Sequence, residues 1–262
     1  MTAATATTTV FECRNTTVDL QGEDGAVRIL DEVSLRIAEG QFVTVIGHSG
    51  TGKTTLLRAL GGLQSVASGP DSLNYKGGPV DGPPLGSSFI FQDYVSSLLP
   101  WRTVSKNVAL GVEGRLPKAE IVTRVDEALE MVGLRGRGSL YPDQLSGGMQ
   151  QRVQIARALV TSPSVLLMDE PFGALDAMTR SQLQDELQRL HQTSGLTIVF
   201  VTHDTDEAVY LSDRIIVLEG SPASVTADVP VPLPRPRTRL ETREMPEFLR
   251  LRRRVQMAVQ GE

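Results

Sequence analysis

Gly47-His48-Ser49-Gly50-Thr51-Gly52-Lys53-Thr54 is the stretch on which the fold turns. It follows a short apolar run, Gln41–Ile46, that suits a buried strand. It precedes Thr54–Leu60, where Leu56, Leu57 and Leu60 share one helical face until Gly61-Gly62 ends the helix. Strand, glycine-rich turn and helix are the context in which G-x-x-x-x-G-K-[S/T] holds phosphate. The glycines let the backbone curl so that successive N–H groups point inward, and the helix adds its positive end. Lys53 brings a compact charge for the β- and γ-phosphates, and the Thr54 hydroxyl is a ligand for Mg2+. A glycine-rich turn without function is the alternative, and the flanking strand and helix argue against it. Alone, the motif says only that the chain binds a nucleotide by its phosphates.

The next informative stretch is Val165-Leu166-Leu167-Met168-Asp169-Glu170, an apolar strand with two carboxylates at its C-terminal end. Ligands bind at that end of open parallel sheets. Asp169 there suits the Mg2+ shell, and Glu170 suits a general base that polarises water. Such a pair is often a solvated strand end, and it gains meaning only beside the phosphate loop. Further strands are expected at Val10–Asn15, Thr16–Leu20, Val33–Ala38, Phe89–Phe91, Thr197–Val201 and Ile215–Leu218. Helices are expected at Lys118–Val132, Gly147–Val160, Thr179–Thr193 and Met245–Val259. Residues 62–88 are rich in Gly, Pro and Ser and predict turns with short antiparallel strands, while the prolines of 221–240 predict extended chain. Strands alternating with helices give a doubly wound α/β core with a mostly parallel sheet.

Composition narrows the class. A chain of 262 residues with 40% hydrophobic content buries one large core, with room for a small appendage. A net charge of −5 offers no electrostatic case for nucleic acid or for anionic lipid. The single cysteine, Cys13, excludes an intrachain disulfide framework and fits a reducing compartment. No apolar run approaches the ~20 residues of a membrane-spanning helix. Met1–Thr9 is nearly all Ala and Thr without a basic residue, which reads as a flexible leader and not as a secretory signal. The expectation is a soluble, cytoplasmic protein that meets a membrane only through a partner.

Leu145-Ser146-Gly147-Gly148-Met149-Gln150-Gln151-Arg152 places a serine and two glycines at a helix N-terminus, a second anion site of N–H groups and dipole, or else an ordinary Ser cap. The stretch resembles the LSGGQ signature of ABC ATPases, with Met149 where the commonest form has Gln. The similarity runs from about Val10 to Leu218. It implies a P-loop NTPase of ABC type, with a mostly parallel core sheet, an antiparallel β part and a helical subdomain over about 93–160. The ATPase domain would occupy 10–220, with a Pro-rich extension and C-terminal helix over 221–262. It implies ATP, contacted by Gly47, His48, Ser49, Gly50, Thr51, Gly52, Lys53, Thr54 and Thr55. It implies a head-to-tail pair, with another copy or a homologous ATPase, in which Ser146, Gly147, Gly148 and Gln150 of one chain close over the ATP of the other.

Further positions follow in the family's order. Gln92 looks like the Q-loop glutamine that senses Mg2+ and the lytic water, and Ala174-Leu175-Asp176 resembles the D-loop. His203 resembles the switch histidine at the γ-phosphate. Glu170, His203 and Gln92 are thus the implied catalytic set, and Thr54, Gln92 and Asp169 the implied metal set. His48 and His191 match no functional histidine of the family and read as a loop residue and an exposed helix residue. ABC ATPases usually carry an aromatic before the P-loop to stack on adenine; Arg14–Leu20 has none, and Leu20 fills the place as an apolar contact.

Phe91-Gln92-Asp93, Leu98-Leu99-Pro100-Trp101, Asn107-Val108-Ala109-Leu110-Gly111 and Glu207-Ala208-Val209-Tyr210-Leu211-Ser212-Asp213-Arg214 resemble ATPases of the nitrate, sulfonate and taurine uptake group. That resemblance implies import of a small solute, transmembrane permease subunits as partners, a solute-binding protein at one remove, and a peripheral place on the cytoplasmic face of the membrane. Leu98, Leu99 and Trp101 are then docking candidates, unless Trp101 packs inside the helical subdomain. Arg250 and Arg252–Arg254 read as one solvated helix face, or as a contact with headgroups or a partner. Two rival classes remain. A soluble ABC ATPase of DNA repair needs a long coiled coil that residues 54–145 lack, and a ribosomal one carries two cassettes. A catalytically silent subunit fits poorly with Lys53, Asp169, Glu170 and His203 all present.

Overall fold

The computed structural model describes residues 8–22, 25–92, 97–173 and 175–260. Most of the expected leader (residues 1–7), Asp93 beside Gln92, and Ala174 of the D-loop stretch lie outside the described residues. In chain order the strands are β1 (Thr9–Gly22), β2 (Gly25–Ala38), β3 (Phe42–Ile46), β4 (Leu73–Tyr75), β5 (Gly78–Pro79), β6 (Ser87–Ile90), β7 (Val165–Asp169), β8 (Thr197–Thr202), β9 (Arg214–Gly220) and β10 (Ala223–Pro230). The helices are α1 (Lys53–Leu60), α2 (Val104–Ala109), α3 (Lys118–Met131), α4 (Gly147–Leu159), α5 (Ala177–Ser194), α6 (Thr205–Leu211), α7 (Arg239–Glu244) and α8 (Pro246–Gln260). They divide between two compact units, Met1–Leu85 with Gly195–Glu262, and Gly86–Ser194.

The first unit orders its strands β5-β4-β1-β2-β10-β9-β3-β8. Its core is parallel: Phe42–Ile46 lie opposite Ile198–Thr202, and Val43–Ile46 opposite Arg214–Val217. Every residue of β3 and β8 is buried. Such unbroken runs of β-branched and aromatic residues suit strands covered on both faces. Around this core the antiparallel part is longer than the sequence suggested. The two short strands expected between Val10 and Leu20 are one strand, β1, interrupted by register shifts near Thr16, where Asn15 and, across from it, Glu32 have positive φ. Most of the stretch between the expected strands Thr16–Leu20 and Val33–Ala38 is the first part of strand β2. Its inward residues Val33, Leu35 and Ile37 alternate with exposed Ser34 and Arg36, as a half-buried strand requires. Residues 62–88 give β4 and β5, antiparallel as expected.

After Gly220 the expected extended chain first forms β10, antiparallel to β9. The rest is pinned by two arginines. Arg235 binds Asp213 at 2.7 Å and the Leu211 carbonyl at 2.8 Å. Arg237 is buried and donates to the carbonyls of Val209, Tyr210 and Ser212, the last at 2.8 Å. Burial pushes its guanidinium pKa down to about 10, yet the charge is held by main-chain oxygens. Arg237→Ala strands those carbonyls without a donor, and equilibrium urea unfolding is expected to show a loss of about 3 kcal/mol. In α8, Phe248, Leu251 and Val255 face inward, while Arg250 and Arg252–Arg254 are exposed, with Arg250 paired to Glu247 and Arg252 to Asp206.

In the second unit β6 and β7 pair in parallel, Ser87 opposite Val165 through Ile90 opposite Met168. Helix α4 packs against α2, α3 and α5. Arg152 of α4 reaches Glu186 of α5 at 2.6 Å, and burial raises the Glu186 pKa while that arginine opposes the rise. His191, expected on an exposed face, is buried on α5, because it continues at i+3 and i+4 the buried face made by Leu183, Gln184, Leu187 and Gln188.

Candidate functional site

Candidate residues fall in both units. In the first, β3 ends at Ile46 and the chain curls tightly into α1. A Cβ at Gly47 would sit 2.4 Å from the Leu218 carbonyl, so no other residue fits there. Gly52 takes the left-handed conformation (φ 81°) and a Cβ on it would lie 2.9 Å from Ile29 and Leu30 of the hairpin. Lys53 is buried, and its Nζ donates to the carbonyls of Gly47 (2.9 Å) and His48 (2.8 Å), tying the loop's far end to its start. The Thr51 hydroxyl donates to the same His48 carbonyl at 2.8 Å. Helix α1 has no acidic residue in its first turn and no side-chain cap, so its positive end is left for an anion. Thr54 and Thr55 in that first turn are half-buried, while His48 is exposed.

Leu20 stands opposite Val27 on the hairpin, and Val27 is 54% exposed. This apolar pair lies a few residues along from the Ile29–Leu30 segment that meets Gly52. Val27 escaped the sequence reading because nothing in a lone valine marks it. At the end of β8, His203 is exposed between Thr202, whose hydroxyl accepts from the Asp204 N–H at 3.1 Å, and Asp204, which caps α6 through the Glu207 N–H at 3.0 Å.

In the second unit Asp169 closes the wholly buried strand β7 and is itself buried. Glu170 follows with φ 41°, half-buried, in a turn closed by the Gly173 N–H on the Glu170 carbonyl at 3.2 Å. Ser146 caps α4 by accepting from the Met149 N–H at 3.4 Å, and Ser146 and Gly147 are exposed. Gln150 does not face outward with them. Its amide donates to the Pro142 carbonyl at 2.8 Å, so it holds the chain leading into the signature. Asp176 caps α5, its Oδ1 accepting from the N–H groups of Met178 and Thr179 at 3.0 Å each; hydrogen bonds from Thr179 hold its carboxyl below the usual range.

Gly148 is where α4 and α5 meet: a Cβ there would lie 2.2 Å from Thr179 Cγ2. Gly148→Ala is therefore expected to lower the unfolding free energy by about 1–3 kcal/mol. Adding Thr179→Ser, which deletes that methyl, should recover most of the loss in a double-mutant cycle of denaturation midpoints.

Gln92 is exposed just after β6. Trp101 is 72% exposed, whereas Leu98 is 3% exposed and belongs to the core, which removes it from the docking candidates and places Trp101 outside. The cause is Asn107, fully buried in α2, whose amide binds the Leu99 N–H and carbonyl and the Arg102 and Thr103 carbonyls. Its carboxamide fixes the main chain at Leu99, Arg102 and Thr103, on either side of Trp101. A buried asparagine inside a short helix was the available signal.

Among the described residues there is no group of three or more His, Cys, Asp or Glu side chains suited to a metal ion. The Thr54 hydroxyl in the first unit and the Asp169 carboxylate in the second are each hard oxygen donors of the kind that suits Mg2+.

A protein-family profile described as "ABC transporter" matches residues 30–173. The chain is 46% identical over 238 residues to the nitrate import ATP-binding protein NrtC of Synechococcus elongatus, covering 89% of this chain but only 35% of that protein. It is 44% identical over 227 residues to the aliphatic sulfonates import ATP-binding protein SsuB of Bacillus subtilis, covering 87% of this chain and 85% of that one. Among solved structures, a dimeric ATP-binding cassette in a post-hydrolysis state with ADP and Pi superposes with a TM-score of 0.73 at 31% identity, covering 84% of this chain and 98% of that one. With the phosphate loop, the acidic strand end and the Ser-Gly-Gly cap in the family's order, this chain belongs to the ABC transporter family of ATP-binding proteins.

Proposed function

We propose that the chain is the ATP-hydrolysing subunit of an ABC importer for a small anion, with nitrate, sulfonates and taurine as the leading solutes. The observation that carries the nucleotide-binding part of the reading is the loop at Gly47–Thr54, where two positions admit only glycine and a buried lysine is tied to the loop's own carbonyls; the import role rests on the nitrate and sulfonate relatives. Such a loop is built to present N–H groups and one charge to phosphate.

In this reading Gly47–Thr55 bind the ATP phosphates, and Leu20 with Val27 offers adenine an apolar contact in place of an aromatic ring. Thr54, Asp169 and Gln92 hold Mg2+, which when bound neutralises charge on the β- and γ-phosphate oxygens. Glu170 takes a proton from the attacking water, and His203 contacts the γ-phosphate. A second copy supplies Ser146, Gly147 and Gly148, with Gln150 shaping that cap and Asp176 holding the adjoining helix. The nitrate and sulfonate relatives support an import role over a soluble, non-transport ABC ATPase. Trp101 faces a permease subunit, and the chain lies at the cytoplasmic face of the membrane. No described helix is long and apolar enough to cross it.

The test is made on the purified chain. Mg2+-dependent ATP hydrolysis and ATP-dependent dimerisation by light scattering are expected. A chain that neither hydrolyses ATP nor pairs in its presence overturns the reading. Co-purification with ribosomes in place of a membrane protein overturns the import role.

A further inference from the structure

Three polar residues of α4 share one face at i, i+4 and i+7, namely Gln150, Gln154 and Arg157. Each gives a donor to a main-chain carbonyl outside the helix. Gln150 holds Pro142, ahead of Ser146. Gln154 Nε2 donates to the Phe91 carbonyl at 3.1 Å, immediately before Gln92. Arg157 Nη1 donates to the Ser97 carbonyl at 2.6 Å. The helix that starts at the Ser146 cap therefore also grips the chain at Phe91, immediately before Gln92, and at Ser97, five residues after it.

This arrangement is costly if its purpose is packing alone. Gln154 is 2% exposed, and its Oε1 has no hydrogen-bond partner. Arg157 is half-buried with no acidic partner among the described residues, and burial lowers its guanidinium pKa. A Leu or Met at either place would fill similar volume without a desolvation penalty. What the polar groups gain is a fixed position for the carbonyls of Phe91 and Ser97, the first of them adjacent to Gln92.

We infer that Gln154 and Arg157 are positioning residues for Gln92 in ATP hydrolysis, fixing its distance from the signature cap so that both move as one body. The inference rests on the ATPase reading above and on the role it gives Gln92. It says that Arg157 acts through Gln92, and not through ATP binding, which depends on the loop at Gly47–Thr55.

The experiment uses the full chain with Arg157→Met, Arg157→Lys, Gln154→Met and Gln92→Ala. Turnover is measured against Mg2+ concentration, ATP affinity with a fluorescent ATP analogue, and folding by thermal melting. Arg157→Met is expected to lower kcat about tenfold or more and to raise the half-saturating Mg2+ concentration, because small misplacements of a positioned group are expensive. ATP affinity should stay within about twofold, and Arg157→Lys, which keeps a donor, should recover part of the rate. Gln154→Met, the milder variant should Arg157→Met fold poorly, is expected to shift the Mg2+ dependence in the same direction. In the Gln92→Ala background, Arg157→Met should change kcat less than about twofold, since the group it positions is gone. An equal loss in both backgrounds overturns the inference, as does a loss explained wholly by weaker ATP binding or by melting. If Gln92→Ala itself leaves turnover and Mg2+ dependence unchanged, the role of Gln92 falls and this inference with it. If Gln92→Ala is impaired while the Arg157 and Gln154 variants are normal, this inference alone falls.

Discussion

Glu170→Gln is expected to lower steady-state ATP turnover by about a thousandfold, within the range general-base catalysis supplies, while ATP still binds. Every residue of strand β7 is buried, so the backbone that delivers Glu170 has no freedom to drift. The residue then takes φ 41°, a conformation costly for a glutamate and kept only where its surroundings fix it. Those surroundings are visible. Phe172 is 1% exposed and anchors the turn from below, and the Gly173 N–H closes it onto the Glu170 carbonyl at 3.2 Å. A side chain aimed by strain in this way has a directed task, and glutamine preserves its shape and hydrogen bonding but not its basicity. ATP should therefore accumulate unhydrolysed, and the ATP-loaded dimer should persist. Single-turnover hydrolysis, ATP affinity and light scattering measured together check this. Normal turnover moves the base elsewhere, and loss of ATP binding in place of turnover shows that the carboxylate serves the fold.

Local signals made much of this legible in the sequence. The phosphate loop announces itself because Gly47 and Gly52 are the only residues their places admit, and because a buried strand and a helix must flank it. Core strands β3, β7 and β8 were readable as continuous apolar runs, since a strand covered on both faces has no polar alternation to hide it. What stayed hidden depends on distant neighbours. The hairpin of β1 and β2 absorbs the polar stretch after Leu20 because Asp19–Gly22 pair in regular register with Gly25–Arg28. Helices α2 and α6 are one or two turns long, too short for a period to show, and each starts on a side-chain cap, Thr103 or Asp204. Strand β10 forms from a Pro-bearing stretch because its pairing partner β9 lies immediately before it. The inward turn of His191 follows from packing on α5, which has no local signature, and that of Leu98 goes with the buried Asn107, whose only mark in the sequence is a polar residue within a short helix.

Lys53→Ala is expected to weaken ATP binding by about a hundredfold to a thousandfold, or roughly 3–4 kcal/mol. Two losses combine. The phosphate loses a positive charge in a buried place, where it is screened less than on the surface. The loop also loses its internal tie, since Lys53 Nζ bonds the carbonyls of both Gly47 and His48. Without it those carbonyls have no ammonium to draw them back, and the curl that turns the N–H groups inward is no longer held. Lys53→Arg should fail to rescue binding: the ammonium fits between two carbonyls as a compact point charge, and a planar guanidinium fork matches neither the space nor the geometry. The core of α1 is carried by Leu56, Leu57, Ala59 and Leu60, all fully buried, so both variants should keep their secondary structure and melt cooperatively. Titration with a fluorescent ATP analogue, alongside circular dichroism, separates the outcomes. Unchanged affinity in a folded Lys53→Ala protein removes the charge from the binding loop, whereas restored affinity in Lys53→Arg makes charge alone, and not the tie between the loop's two ends, the reason for a lysine here.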